Sequence, residues 1–109
     1  MSKNNFTDNV KIMTDPKLNE GGNCLSFMGR IDLGYKKANE KYNESCLIPF
    51  VILGKVENLA KSEFFVKNAT IFVNGLLQSR KVDNGEGGFN YPMNVAINNF
   101  NYVMYADKS

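Results

Sequence analysis

Aromatic rings interleaved with cations are the residues of this chain best suited to chemistry. Tyr35-Lys36-Lys37 form one cluster, with Tyr42 a few positions on. Arg80-Lys81 form a second, with Phe89 and Tyr91 across a glycine-rich loop. Unpaired bases stack on aromatic faces and their phosphates attract Lys and Arg, so the interleaving points to a single-stranded nucleic acid. A solvated hairpin tip accounts for the same residues, because charged loops often serve only solubility. Strand parity turns Tyr91 toward a core, which leaves Phe89 as the better contact. Catalysis has little to build on. The chain contains no histidine, no GxGxxG and no Walker loop. Gly85-Glu86-Gly87-Gly88 has the composition of a phosphate loop but precedes a strand, so it lacks the helix N-terminus that cradles an anion. A binding module is expected rather than an enzyme, with no cofactor and no metal.

A single domain must carry these residues, since the chain has 109 of them. Its apolar fraction of 43% is that of a globular protein and argues against wholesale disorder. Net charge is only +2, so attraction to a polyanion requires cations gathered on one face. No apolar run approaches the roughly 18 residues of a membrane span. The opening Met-Ser-Lys-Asn-Asn lacks a hydrophobic signal region, so a cytoplasmic protein is expected. The two cysteines, Cys24 and Cys46, fall far apart if the strands around them pair antiparallel. Disulfide geometry needs Cα atoms within about 7 Å, so both read as reduced thiols.

The elements follow from periodicity. Residues 1–9 read as a flexible arm, 10–105 as the folded domain and 106–109 as a short tail. Within this, Phe6 to Met13 contains a weak first strand, broken by Asp15-Pro16. Leu25, Phe27, Gly29, Ile31 and Leu33 alternate with polar residues, so Cys24 to Leu33 is a half-buried strand, with a bulge or bend at Gly29. The third strand, Cys46 to Lys55, is apolar on both faces: Ile48, Phe50 and Ile52 on one, Leu47, Pro49, Val51 and Leu53 on the other. Burial on both sides explains this, as does a ligand or a partner subunit on the outer face. Val56, Leu59, Ala60 and Phe64 have helical spacing and predict a helix over Val56 to Val66, with Asn68 as a left-handed cap. Thr70 to Val82 is the fourth strand, bent at Gly75. Asn84-Gly85 marks a hairpin, and Phe89 to Tyr105 is the fifth strand.

Several short motifs occur in a familiar order: Asp15-Pro16-x-Leu18, Phe50-Val51-Ile52-Leu53-Gly54-Lys55, Glu57-Asn58-Leu59-Ala60-Lys61, Val73-Asn74-Gly75 and Arg80-Lys81. Over roughly Val10 to Val103 the chain resembles the bacterial and phage single-stranded DNA-binding protein family. The resemblance implies an all-β, five-stranded OB-fold barrel with one short helix between the third and fourth strands. It implies sequence-independent binding and protection of single-stranded DNA in replication or recombination, in a phage or plasmid member acting in a bacterial cytoplasm. It places Tyr35 where many members carry a stacking tryptophan, and it matches Lys55 to the family's Gly-Lys lysine and Arg80-Lys81 to its basic pair on the strand-four hairpin. Leu47, Leu53 and Val82 stand where typical members place contact aromatics, and the chain has no tryptophan. Binding is therefore expected to be weaker, or its contacts to shift toward Tyr35, Tyr42, Phe27 and Phe89, with Lys36 and Lys37 beside the phosphates. A homo-oligomer is expected, a tetramer by resemblance and at least a dimer from the doubly apolar third strand. The ending Asp107-Lys108-Ser109 differs from the acidic tip by which cellular members recruit partners, so no tail-mediated partner is expected. An OB-fold module for protein interaction, or for RNA, fits the same residues.

Overall fold

The computed structural model describes residues 5–39, 41, 44–79, 82–83, 85–90 and 92–106. The strands are β1 (Asn5–Ile12), β2 (Lys17–Leu18), β3 (Cys24–Asp32), β4 (Ser45–Leu53), β5 (Thr70–Ser79), β6 (Val82–Asp83), β7 (Phe89–Asn90) and β8 (Met93–Met104). One short helix, α1 (Glu57–Ala60), lies between β4 and β5. The hydrogen-bonded order β1-β5-β8-β4-β3 closes on itself because β1 also pairs with β3, at Lys11↔Arg30 and Ile12↔Gly29. The β4–β8 contact is parallel, at Phe50↔Val95 and Val51↔Ala96, and the other ring contacts are antiparallel. This is the expected five-stranded OB barrel, its ring completed by the short β1–β3 and β4–β8 pairings of two positions each. The two-residue β2 straps the outer side of β3, and β6–β7 form a separate ribbon. No helix among the described residues is long and apolar enough to cross a membrane.

Alternation along the strands sorts the residues. Leu25, Phe27 and Ile31 of β3 point inward with Phe50, Val10, Ile12, Ile71, Val73, Val95 and Ile97. Among the described residues this core contains no polar side chain. Its rings form a relay. Phe50 stacks on Phe27 at 5.3 Å and meets Phe6 edge-on at 5.5 Å. Phe27 then meets Phe65, and Phe65 meets Phe100.

Several boundaries differ from the periodicity. β1 pairs with β5 from Asn5↔Leu76 onward, so residues 5–9 belong to the barrel and not to an arm over 1–9. Phe6, packed against the core, holds that end in place. The helix expected over Val56 to Val66 is a single turn. Ser62 Oγ accepts the N–H groups of Phe64 and Phe65, at 3.1 and 3.4 Å, and so offers the backbone a competing turn. Phe65 rather than Phe64 then reaches the core, at 2% exposure against 43%. Asn68 does adopt positive φ (80°), but its N–H donates to Ile12 O rather than closing a helix. β4 stops at Leu53 because Gly54 turns the chain at φ 114°. The fourth and fifth strands are each shorter than expected, with β6 and β7 detached from them and Pro92, which has no N–H to give a ladder, outside both β7 and β8. Gly29 makes no bulge in the β3–β4 register. Its lack of a side chain admits Phe50 and Val10, whose carbons would stand 2.6 and 2.4 Å from an added Cβ.

Candidate nucleic-acid interface

The β3–β4 ladder sets the register of an outer face. Arg30 pairs with Leu47, Met28 with Pro49, Ser26 with Val51 and Cys24 with Leu53. Lys17 of β2 extends the third row beside Ser26, and Ala96 of β8 extends it beyond Val51. The inward set of β4 is Cys46, Ile48, Phe50 and Ile52, so Leu47 and Leu53 project outward, at 58% and 66% exposure. Arg30 and Lys17 are exposed on the same face. A shallow groove of about 290 Å³ crosses it, lined by Thr14, Asp15, Lys17, Ser26, Phe27, Met28 and Pro49. The face thus combines an aliphatic platform with flanking cations.

Two loops frame it. After β3, Gly34 takes φ 81° and donates its N–H to Asp32 Oδ1 at 2.7 Å. Leu33 N–H donates to Glu44 O, and Glu44 N–H donates to Tyr35 O. These bonds fix the Tyr35 backbone while its ring stays 56% exposed. Lys36 is exposed beside it. Lys37 contacts Glu44 at 3.6 Å, which offsets part of its charge. At the other end, Gly54 N–H donates to Asn23 O at 2.9 Å. Asn19 Oδ1 accepts the N–H groups of Asn23 and Cys24, so a tied turn holds the backbone before the exposed Lys55.

The structure therefore brings Leu47 and Leu53 together on one face and puts Tyr35 and Lys55 in the loops adjoining its strands. Phe27 is a correction: at 4% exposure, stacked on Phe50, it cannot receive a base. Val82 and Phe89 lie on the β6–β7 ribbon, where Asp83 pairs with Phe89 and Val82 with Asn90. Tyr42, Arg80, Lys81 and Tyr91 lie outside the described residues. Arg30, Lys17, Met28 and Pro49 were not foreseen as site residues. Arg30 sits on the polar side of the β3 alternation, which was the available signal. The cysteines lie near opposite ends of the β3–β4 ladder, Cys24 at Leu53 and Cys46 at Ile31, and both are free thiols. Among the described residues no group of acidic, cysteine or histidine side chains could hold a metal ion.

No protein-family model and no curated protein matches the chain. Solved structures do. The chain is similar to the Plasmodium falciparum SSB in its complex with ssDNA, at TM-score 0.70 and 16% identity, over 98% of this chain and 97% of that one. It is also similar to Rim1, a mitochondrial single-stranded DNA-binding protein of S. cerevisiae, at TM-score 0.70 and 8% identity, over 97% of this chain and 100% of that one. At these identities the likeness is one of fold, and it spans the whole barrel.

Proposed function

We propose that this chain binds single-stranded DNA without sequence preference and keeps it unpaired during replication or recombination, with no chemistry performed on it. The observation that carries the reading is the outer β3–β4 face. There the exposed Leu47 and Leu53 lie among Arg30, Lys17 and Lys55, on the fold of two proteins described as binding single-stranded DNA. Bases rest on the aliphatic platform and on the Tyr35 ring, and phosphates follow the cations, Arg80 and Lys81 included. Fluorescence titration with oligo-dT at two salt concentrations, beside oligo-U, tests this. Tight, salt-sensitive binding to oligo-dT with weak binding to the RNA supports it, and absence of oligo-dT binding overturns it.

Two substitutions separate stacking from charge. Tyr35→Ala should cost about 1–3 kcal/mol with little change in salt dependence. Arg30→Ala should lower the salt slope by about 0.7, the single-strand value per phosphate contact, as should Arg80→Ala. Oligo-dT binding by Tyr35→Ala at parental strength, in a folded protein, would reduce the loop to a solvated tip.

Assembly uses a second surface in this reading. Phe72 and Leu76, at 41% and 37% exposure, stand on the outer face of β5, away from the β3–β4 platform. We propose that copies of the chain associate there as a dimer or tetramer, leaving the platform open to DNA. Light scattering should give a multiple of 12.3 kDa for the parent and a smaller multiple for Phe72→Arg. A parental monomer at tens of micromolar (on the order of the concentrations at which stable interfaces persist) would remove the oligomer from the reading.

A further inference from the structure

Beside the platform, β4 and β8 diverge. Their parallel pairing runs through Phe50↔Val95 and Val51↔Ala96, and the same register puts Asn94 next to Pro49. Val95 is fully buried, and alternation turns Asn94 to the outer face. Across the other ladder Asn94 pairs with Gln78. Asn94, Gln78, Ser79 and Pro92 line a pocket of about 150 Å³. The amide oxygen of Asn94 is cut off from solvent and accepts no hydrogen bond from the described residues. Buried polar atoms are nearly always partnered, so an orphan acceptor at a pocket wall calls for an explanation.

We propose that this pocket receives the Watson–Crick edge of one unpaired base, held by the Asn94 carboxamide, with Gln78 and Ser79 at its rim. The inference rests on the single-strand reading above and gives it a device for telling single strands from duplex. A carboxamide carries an acceptor beside a donor. Each of the four bases shows a donor beside an acceptor on its Watson–Crick edge. Turning the amide over about its broad terminal torsion matches any of them and brings the orphan oxygen into the pocket. In a duplex that edge is taken by the partner strand. The slot is therefore blind to sequence and closed to paired bases. It continues the outer row in which Met28 faces Pro49, so a base leaving the platform arrives beside it.

The test compares oligo-dT with an oligomer of the same length in which every thymine is methylated at N3. Methylation removes the edge donor and leaves the ring and phosphates in place. The parent should bind the methylated oligomer about five-fold more weakly, the worth of about one net hydrogen bond. Asn94→Leu, with unchanged circular dichroism, should bind both oligomers alike. Asn94→Ser, smaller and without an amide, gives the same readout if the leucine variant does not fold. A parent that binds both oligomers equally overturns the pocket and leaves single-strand binding intact. A parent that binds neither overturns both. A preference that survives in the folded Asn94 variants overturns the role given to Asn94.

Discussion

Phe50→Ala should unfold at far lower denaturant than the parent, with a loss of about 3–5 kcal/mol. The ring is fully buried, stacked on Phe27 with an interplanar angle of 10° and edge-on to Phe6 at 70°. It occupies the space that Gly29 leaves open, and so fills the middle of the barrel where β3 and β4 face each other. Domains of this size are stable by about 5–15 kcal/mol in total, so the substitution removes a third or more of a typical value. A thermal melt should fall by about 12 °C or more, at about 4–8 °C per kcal/mol. The site would be affected indirectly, because Pro49 and Val51 of the platform flank Phe50 on the same strand. Adding Gly29→Ala to the Phe50→Ala background should cost less than adding it to the parent, since the ring the new methyl would strike is gone. Equal costs in the two backgrounds would mean that ring and glycine are not packed as described.

The second large effect is expected at Gly75. A Cβ there would stand 2.3 Å from the carbonyl oxygen of Ala96 and 3.1 Å from Ile97 Cα. These are backbone atoms of the paired strand and cannot swing aside as a side chain does. The position also borders a register shift, where Asn74 faces Asn99 and Gly75 faces Ile97. Gly75→Ala should therefore cost about 3 kcal/mol, the upper end of ordinary overpacking. Urea denaturation measures it directly, and a loss under about 0.5 kcal/mol, the range of neutral surface changes, would refute the close approach.

Much of the fold is legible in the residues. The Leu25-Phe27-Gly29-Ile31 alternation marks β3, and Gly75 marks the irregularity of β5. The helix length is not legible, because Val56, Leu59, Ala60 and Phe64 keep helical spacing through a segment that the Ser62 hydroxyl turns aside. Nor is β2 legible, since two residues show no period. At the site, the exposure of Leu47 and Leu53 follows from strand parity once Phe50 is known to face inward. The grouping of Arg30 with Leu47 does not. It depends on a register set by the connection from Leu33 to Glu44, where a slip of one residue would send each side chain to the other face. Phe27 differs for a related reason: its alternation marks it as core, and the absence of tryptophan from the chain does not turn its ring outward. Asn94 has no sequence signal, because its surroundings are set by pairings of β8 with β4 and β5, strands distant in the chain.

Closure of the ring through β1 has a further consequence, for the time the chain takes to form. Asn5 must find Leu76, and Phe6 must find Gly75, before the first strand has its full ladder. On a ribosome adding about 5–20 residues per second, β1 waits several seconds for β5 to be made. The β3–β4 hairpin can form earlier, since its strands are joined by a short connection. Until β5 is made, β1 has only its two-position pairing with β3, at Lys11↔Arg30 and Ile12↔Gly29, and the rest of the strand is open to pairing with another chain. Topologies dominated by such distant pairings fold in about milliseconds to seconds. A nascent chain of this protein is thus most exposed to aggregation between the emergence of β1 and that of β5, and a slowed passage through residues 55–70 would lengthen that interval.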